Sequence, residues 1–169
     1  MEFNVLYREL TQSTEMFRAL LAGIGQEEAQ LKTSPGKWSI LEVVCHLYDE
    51  EREDFREHLD FILHRQHEEW HPISPFAWVK SRKYNEQNFK VMQRKFFNER
   101  KQSLTWLQSL KKVDWNIKYV SKRRSMSAGE MLASWVAHDN LHVRQLVELR
   151  RLYIGRITKP YKVGYAGDW

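Results

Sequence analysis

The sequence predicts an all-α fold, a four-helix bundle with long inter-helix loops. Three observations predict it. Apolar residues recur at helical spacing over four long segments. Two of those segments open on capping boxes. Seven Gly and four Pro among 169 residues are also too few for a β-sandwich or barrel, which needs a turn every 8–12 residues or so. Four such helices in a chain of one-domain length point to a bundle. The expectation is one domain over residues 1–169, with 155–169 as an irregular packed tail.

The first helix is expected over about Phe3–Gly23, with Val5, Leu6, Leu10, Phe17, Leu20 and Leu21 on its apolar positions. Gly23 and Gly25 stop it, because glycine readily takes the left-handed conformation that ends helices. The second starts at Ser39-Ile40-Leu41-Glu42, where Ser39 and Glu42 satisfy free N–H groups of the first turn. Trp38 precedes it as a candidate staple, and the helix runs to about His64, before Pro72 and Pro75. The third is expected over about Arg82–Leu110, with Tyr84, Phe89, Met92, Phe96, Leu104 and Leu107 apolar. The fourth starts at a second capping box, Ser127-Ala128-Gly129-Glu130, and runs to about Tyr153. The connections between helices two and three, and three and four, are long enough for crossovers or lids.

Composition excludes several function classes. At 42% hydrophobic residues the chain has the material for a core and is not wholly disordered. No window approaches the roughly 18 consecutive apolar residues of a membrane span. The N-terminal stretch carries Glu2, Arg8, Glu9 and Glu15 and lacks the apolar run of a signal peptide. A single Cys allows no intrachain disulfide and fits a reducing compartment, so a cytoplasmic location is expected. The net charge is +5, yet the basic residues are mixed with acidic ones. The densest runs, Lys111–Lys112 and Lys122–Arg123–Arg124, fall in an expected loop. A nucleic-acid module concentrates such charge on one face with interleaved aromatics, so no nucleic-acid or membrane partner is expected.

The histidines carry the chemistry. His58, His64, His67 and His71 lie close together, and His67-Glu68-Glu69-Trp70-His71 is a literal H-E-x-x-H. In zinc proteases that motif lies within a helix, with both imidazoles on one face. Here Pro72 follows directly and disfavours a helical His71, so a solvated helix end is the better reading. The dispersed set is stronger. His138 and His142 stand four apart on the fourth helix and therefore on one face. That helix is apolar nearly all round, with Met131, Trp135 and Leu149 on their side and Leu132, Val136, Val143 and Val147 opposite. Buried imidazoles need partners, and one metal serves both at once.

His46 is the third candidate. At 100° per residue it lies nearly opposite the apolar stripe of its helix, beside Glu42, Asp49, Glu50 and Glu53. Periodicity alone makes it exposed, and a polar cleft between helices is the alternative. Cys45 points about 100° away from it, from the 3.6-residue helical period, and is read as packing. Asp139, Glu50 and Glu53 are candidates for orienting ligands or moving protons, against ordinary solvated charges. Gln145 is a candidate substrate contact, against packing.

Two segments carry a family resemblance. Trp38-Ser39-Ile40-Leu41-Glu42-Val43-Val44-Cys45-His46-Leu47 resembles the W-S-x-x-E-x-x-x-H-L segment of the DinB-like (YfiT-like) superfamily. Ala137-His138-Asp139-Asn140-Leu141-His142-Val143-Arg144-Gln145-Leu146 resembles its closing H-D-x-x-H-x-x-Q-L motif. Tyr84–Trp115, with Arg100, is similar to its third helix and following loop, so the likeness covers about Gln12–Tyr153. The resemblance implies a bundle that holds a divalent metal, nickel or zinc, on His46, His138 and His142. It implies a small-molecule substrate, either a low-molecular-weight thiol used by an S-transferase or the substrate of a hydrolase. It also implies homodimers among the family's assemblies. A metal-binding stress-response module without turnover is the alternative. The His-rich stretch Arg65–Pro75 departs from the family pattern.

Overall fold

The computed structural model describes residues 2–121 and 125–167; the basic run Lys122–Arg123–Arg124 lies outside them. The order is α1 (Phe3–Leu21), α2 (Gln26–Gln30), α3 (Ile40–Glu50), a π-helical turn (Glu51–Phe55), α4 (Arg56–His64), α5 (Pro75–Ser81), α6 (Phe89–Ser109), β1 (Lys118–Val120), β2 (Ser125–Ser127) and α7 (Ala128–Ile157). Four long rods form the bundle: α1, the continuous α3–π–α4 segment, α6 and α7. α1 packs on α7 and α6, α3 on α6, and α4 on α7.

Both capping boxes form. Ser39 Oγ accepts from Glu42 N–H at 3.1 Å while the Glu42 carboxylate accepts from Ser39 N–H at 2.8 Å. Ser127 and Glu130 repeat the arrangement at the start of α7. Gly23 takes φ +75° just past α1, the conformation that its helix stop requires.

Four expectations are corrected. The third long helix starts at Phe89, not Arg82. The intervening backbone bonds to α2 instead: Gln26 accepts from Phe89 N–H at 2.7 Å, and Gln30 donates to Asn85 O at 2.7 Å. Asn88 then caps α6 by accepting from Val91 N–H. The fourth helix continues through Gly155 to Ile157; one interior glycine costs only about 1 kcal/mol, too little to end a long packed helix. The tail beyond it, 159–167, is exposed and not packed. Finally, the connection before α7 carries an antiparallel ribbon, β1 with β2, in which Tyr119 opposes Met126.

Two apolar clusters fill the bundle. Phe17, Leu41, Val44, Phe96 and Leu146 belong to one, and Leu10, Leu59, Leu107, Leu132 and Trp135 to the other. A polar layer joins them. Arg100 is 1% exposed and makes paired bonds to Glu51 (2.7 and 2.8 Å) and to Asp139 (2.6 and 2.9 Å). Trp135 Nε1 donates to Glu51 at 3.3 Å, and Ser13 donates to Asp139. One guanidinium thus ties α1, the π-helical turn, α6 and α7 together beside the site. Among the described residues no helix is long and apolar enough to cross a membrane.

Candidate metal centre

His138 and His142 project from one face of α7, one turn apart. His46 projects from α3 to meet them. The His46 and His138 Nε2 atoms are 3.2 Å apart, and those of His138 and His142 are 3.0 Å apart. His46 is 4% exposed, which corrects the exposure that periodicity suggested. α3 buries both its faces: Glu42, His46, Asp49 and Glu50 lie inside as fully as Leu41 and Val44. Two of these polar groups have partners from outside the helix. Lys32 pairs with Glu42, while Arg82 and Tyr84 bond Asp49.

The donor set fits a divalent cation. A ring nitrogen offers either one lone pair or one N–H. His138 Nε2 nevertheless faces two other ring nitrogens at hydrogen-bond distance, and hydrogen bonds among three neutral rings do not satisfy all of them. A common cation about 2.0–2.1 Å from each nitrogen does. Three imidazoles also suit nickel or zinc better than magnesium or calcium, which favour oxygen. His46, His138 and His142 form the group of potential ligands that converges among the described residues.

The electrostatics keep these rings neutral. Burial, reinforced by His142 and His138, pushes the His46 pKa down to about 2. Burial and His142 lower that of His138 to about 4, and burial lowers that of His142. In metal-free protein the unfolded chain therefore binds more protons than the fold below about pH 6.5. Stability is present above that pH and is lost as pH falls, by about 1.4 kcal/mol per pH unit for each excluded proton. Urea titrations of chelator-stripped protein at pH 7.5 and 5.0 are expected to show the loss, with a shallower slope in His46→Ala. A flat profile would contradict it.

One ligand candidate has a second hydrogen-bonded contact. The His142 Nδ1 and Gln145 Oε1 atoms are 2.8 Å apart, so Nδ1 carries the hydrogen and Nε2 is left with its lone pair. This contact was missed, although the i, i+3 spacing of His142 and Gln145 puts them on one face. His46 Nδ1 lies 3.8 Å from Glu50 Oε1, and both atoms are buried without a hydrogen-bond partner. Burial, and a hydrogen bond that its protonated carboxyl donates to Asp54, push the Glu50 pKa up to about 9. Asp54 Oδ1 in turn sits 2.6 Å from His58 Nδ1. His46, Glu50, Asp54 and His58 thus form a row at four-residue intervals that runs through the π-helical turn. Trp38 completes the surroundings, 4.8 Å from the His46 ring and parallel to that of His142.

The remaining candidates lie apart. The Asp139 carboxylate is taken by Arg100 and Ser13. The Glu53 carboxylate is bound by Arg82 at 2.9 and 2.7 Å, and Arg82 and Arg52 hold its pKa below the usual carboxylate range. Cys45 is buried, and its thiol donates to Tyr84 O at 3.7 Å. Burial, with Asp49 and Glu42, raises that thiol to about pKa 12, so Cys45 packs rather than reacts. The H-E-x-x-H stretch is not helical. His71 packs on the rings of His58 and Phe61, and Tyr119 accepts from the Trp70 N–H.

A family model described as the DinB superfamily matches residues 9–146, most of the chain. The chain belongs to the DinB superfamily. Its fold matches that of YfiT from Bacillus subtilis with a TM-score of 0.76, over 89% of this chain and 86% of that one. YfiT is described as a probable metal-dependent hydrolase with an unusual four-helix bundle topology. At 14% identity the likeness establishes the DinB fold and nothing finer. Comparison with curated proteins finds no match.

Proposed function

We propose that this DinB protein is a divalent-metal-dependent enzyme, a thiol-dependent S-transferase or a hydrolase, with nickel or zinc held by His46, His138 and His142. The observation that carries the reading is the convergence of three neutral Nε2 atoms from two helices. Three protein ligands leave positions open, as in catalytic zinc sites. A divalent ion held there supplies Lewis acidity, polarising an electrophile and acidifying a water or thiol.

The chain's own residues do the positioning. Gln145 accepts from the Nδ1–H of His142, fixing the tautomer that presents Nε2, and Glu50, whose Oε1 lies 3.8 Å from His46 Nδ1, is within reach of the same role for His46. Asp139 acts through the fold, since Arg100 holds it and it adjoins His138 in α7. Trp38 and Phe55 shield the rings of His46 and His138 from water. Because Cys45 is inert, any reacting thiol comes from a substrate.

Elemental analysis and turnover test the reading. About one nickel or zinc per chain is expected after stringent purification. Metal-loaded protein is expected to accelerate either thiol addition to monochlorobimane or hydrolysis of simple esters. Glu50→Ala is expected to weaken metal binding roughly 10–100-fold. Stoichiometric metal without turnover of any thiol or ester would instead support a metal-binding module, and folded protein that takes up no metal would end both readings.

A further inference from the structure

The basic excess of the chain is not used by the three histidines, and Lys37, Arg144, Arg156 and Lys159 line one stretch of its surface. A groove of about 610 Å³ runs between the 33–37 turn and α7, within the size range of small-molecule sites. Its apolar wall is Trp38, Leu141, Leu149 and Leu152. Its charged wall is Lys37 and Arg144. Glu148 also lines it but is engaged by Arg151 at 2.7 Å. Among the described residues no ion pair or hydrogen bond engages the side chains of Lys37 and Arg144. Past Thr33 and Leu152 the groove continues into a second recess, which adds Arg156 and Lys159.

The groove touches the metal centre through two of its lining residues. Trp38 packs tilted against His46, with ring centroids 4.8 Å apart, and lies parallel to His142. The Gln145 carbonyl oxygen holds His142 Nδ1, which leaves the two amide N–H donors of the same side chain for an occupant. We infer that this groove binds an organic anion with an apolar body, its hydrocarbon part against Trp38, Leu149 and Leu152 and its acidic group on Arg144 and Lys37. Bound there, the anion rests on the two residues that touch His46 and His142. It is thereby the substrate class of the proposed enzyme, a designation that rests on the metal-enzyme reading; the binding itself does not.

The selectivity follows from physical chemistry. An eight-carbon chain buries enough apolar surface to bind any such wall, at about 25 cal/mol per Å². Only the charge distinguishes octanoate from octanol and octylammonium, and unpaired cations favour the anion and repel the ammonium. Arg144 offers a carboxylate two parallel N–H donors.

Titrations of the full-length, metal-loaded protein with octanoate, octanol and octylammonium, followed by calorimetry and Trp fluorescence, test this. Octanoate is expected to bind at least about tenfold more tightly than either analogue, and more weakly as salt rises. The exposed-site variant Arg144→Gln/Lys37→Gln is expected to lose about tenfold in octanoate affinity while keeping its bound metal. Equal binding of octanoate and octanol, unchanged affinity in the double variant, or no binding of octanoate would each overturn the inference. Repeating the titration on chelator-stripped protein separates the two proposals. Octanoate binding there, with no turnover on metal loading, removes the enzyme reading and leaves the anion site. Turnover without octanoate selectivity does the reverse.

Discussion

His138→Ala is expected to lose nearly all bound metal while remaining folded. His138 Nε2 is the nitrogen that both others approach, at 3.2 and 3.0 Å, so its removal takes out the centre of the donor set. Apparent binding free energies of about 10–16 kcal/mol for structural zinc, shared among four ligands, give about 2.5–4 kcal/mol per ligand. That corresponds to a roughly 10²–10³-fold weaker dissociation constant. Chelator competition on purified protein measures it. His142→Ala and His46→Ala should behave alike, because each supplies one converging nitrogen. His71→Ala is the contrast: its ring packs on His58 and Phe61, so metal content should stay at the native level. Retention of metal in His138→Ala together with its loss in His71→Ala would move the site to the H-E-x-x-H stretch.

What the sequence made legible was local. The capping boxes at Ser39 and Ser127 are decided within four residues, and both form. So does the shared face of His138 and His142. His71 followed the bias of the adjacent Pro72 and is not helical. The misreading of His46 has a physical cause. A periodicity argument assumes that a helix has one buried face, and α3 buries two. Its second face is polar, and Lys32, Arg82 and Tyr84 bind its Glu42 and Asp49, the last two from more than 30 residues away in sequence. The π-helical turn left no mark either. It adds residues to a turn and lets Asp54 and His58 continue the row begun by His46 and Glu50, an alignment that 100° per residue does not describe. The α6 start was lost for the same reason: the bonds that replace helix between Lys83 and Asn88 come from α2, 55–63 residues away.

Arg100→Met is expected to be the most destabilising single substitution, at about 3–5 kcal/mol in urea titrations. The reason is the pair of carboxylates left behind. Glu51 and Asp139 are 2% and 1% exposed, and with the guanidinium gone they face each other's charge without a counter-ion. Most of the cost is therefore uncompensated buried charge rather than lost attraction. That account makes a further demand. Adding Glu51→Gln and Asp139→Asn to Arg100→Met should recover a substantial part of the loss, because the amides remove the charge and keep the shape. Arg100→Lys should fall between, since an ammonium replaces one of the two paired arrangements at most. If Arg100→Met cost less than about 1 kcal/mol, the layer would not be what joins the helices. The same layer bears on the metal. Glu51 follows Glu50, whose carboxyl lies 3.8 Å from His46 Nδ1, and Asp139 follows His138, so Arg100 fixes the end of α3 and the middle of α7 close to the ligand candidates. Metal affinity in Arg100→Lys should therefore fall with its stability, whereas Glu50→Ala should lower metal affinity with little change in the urea midpoint.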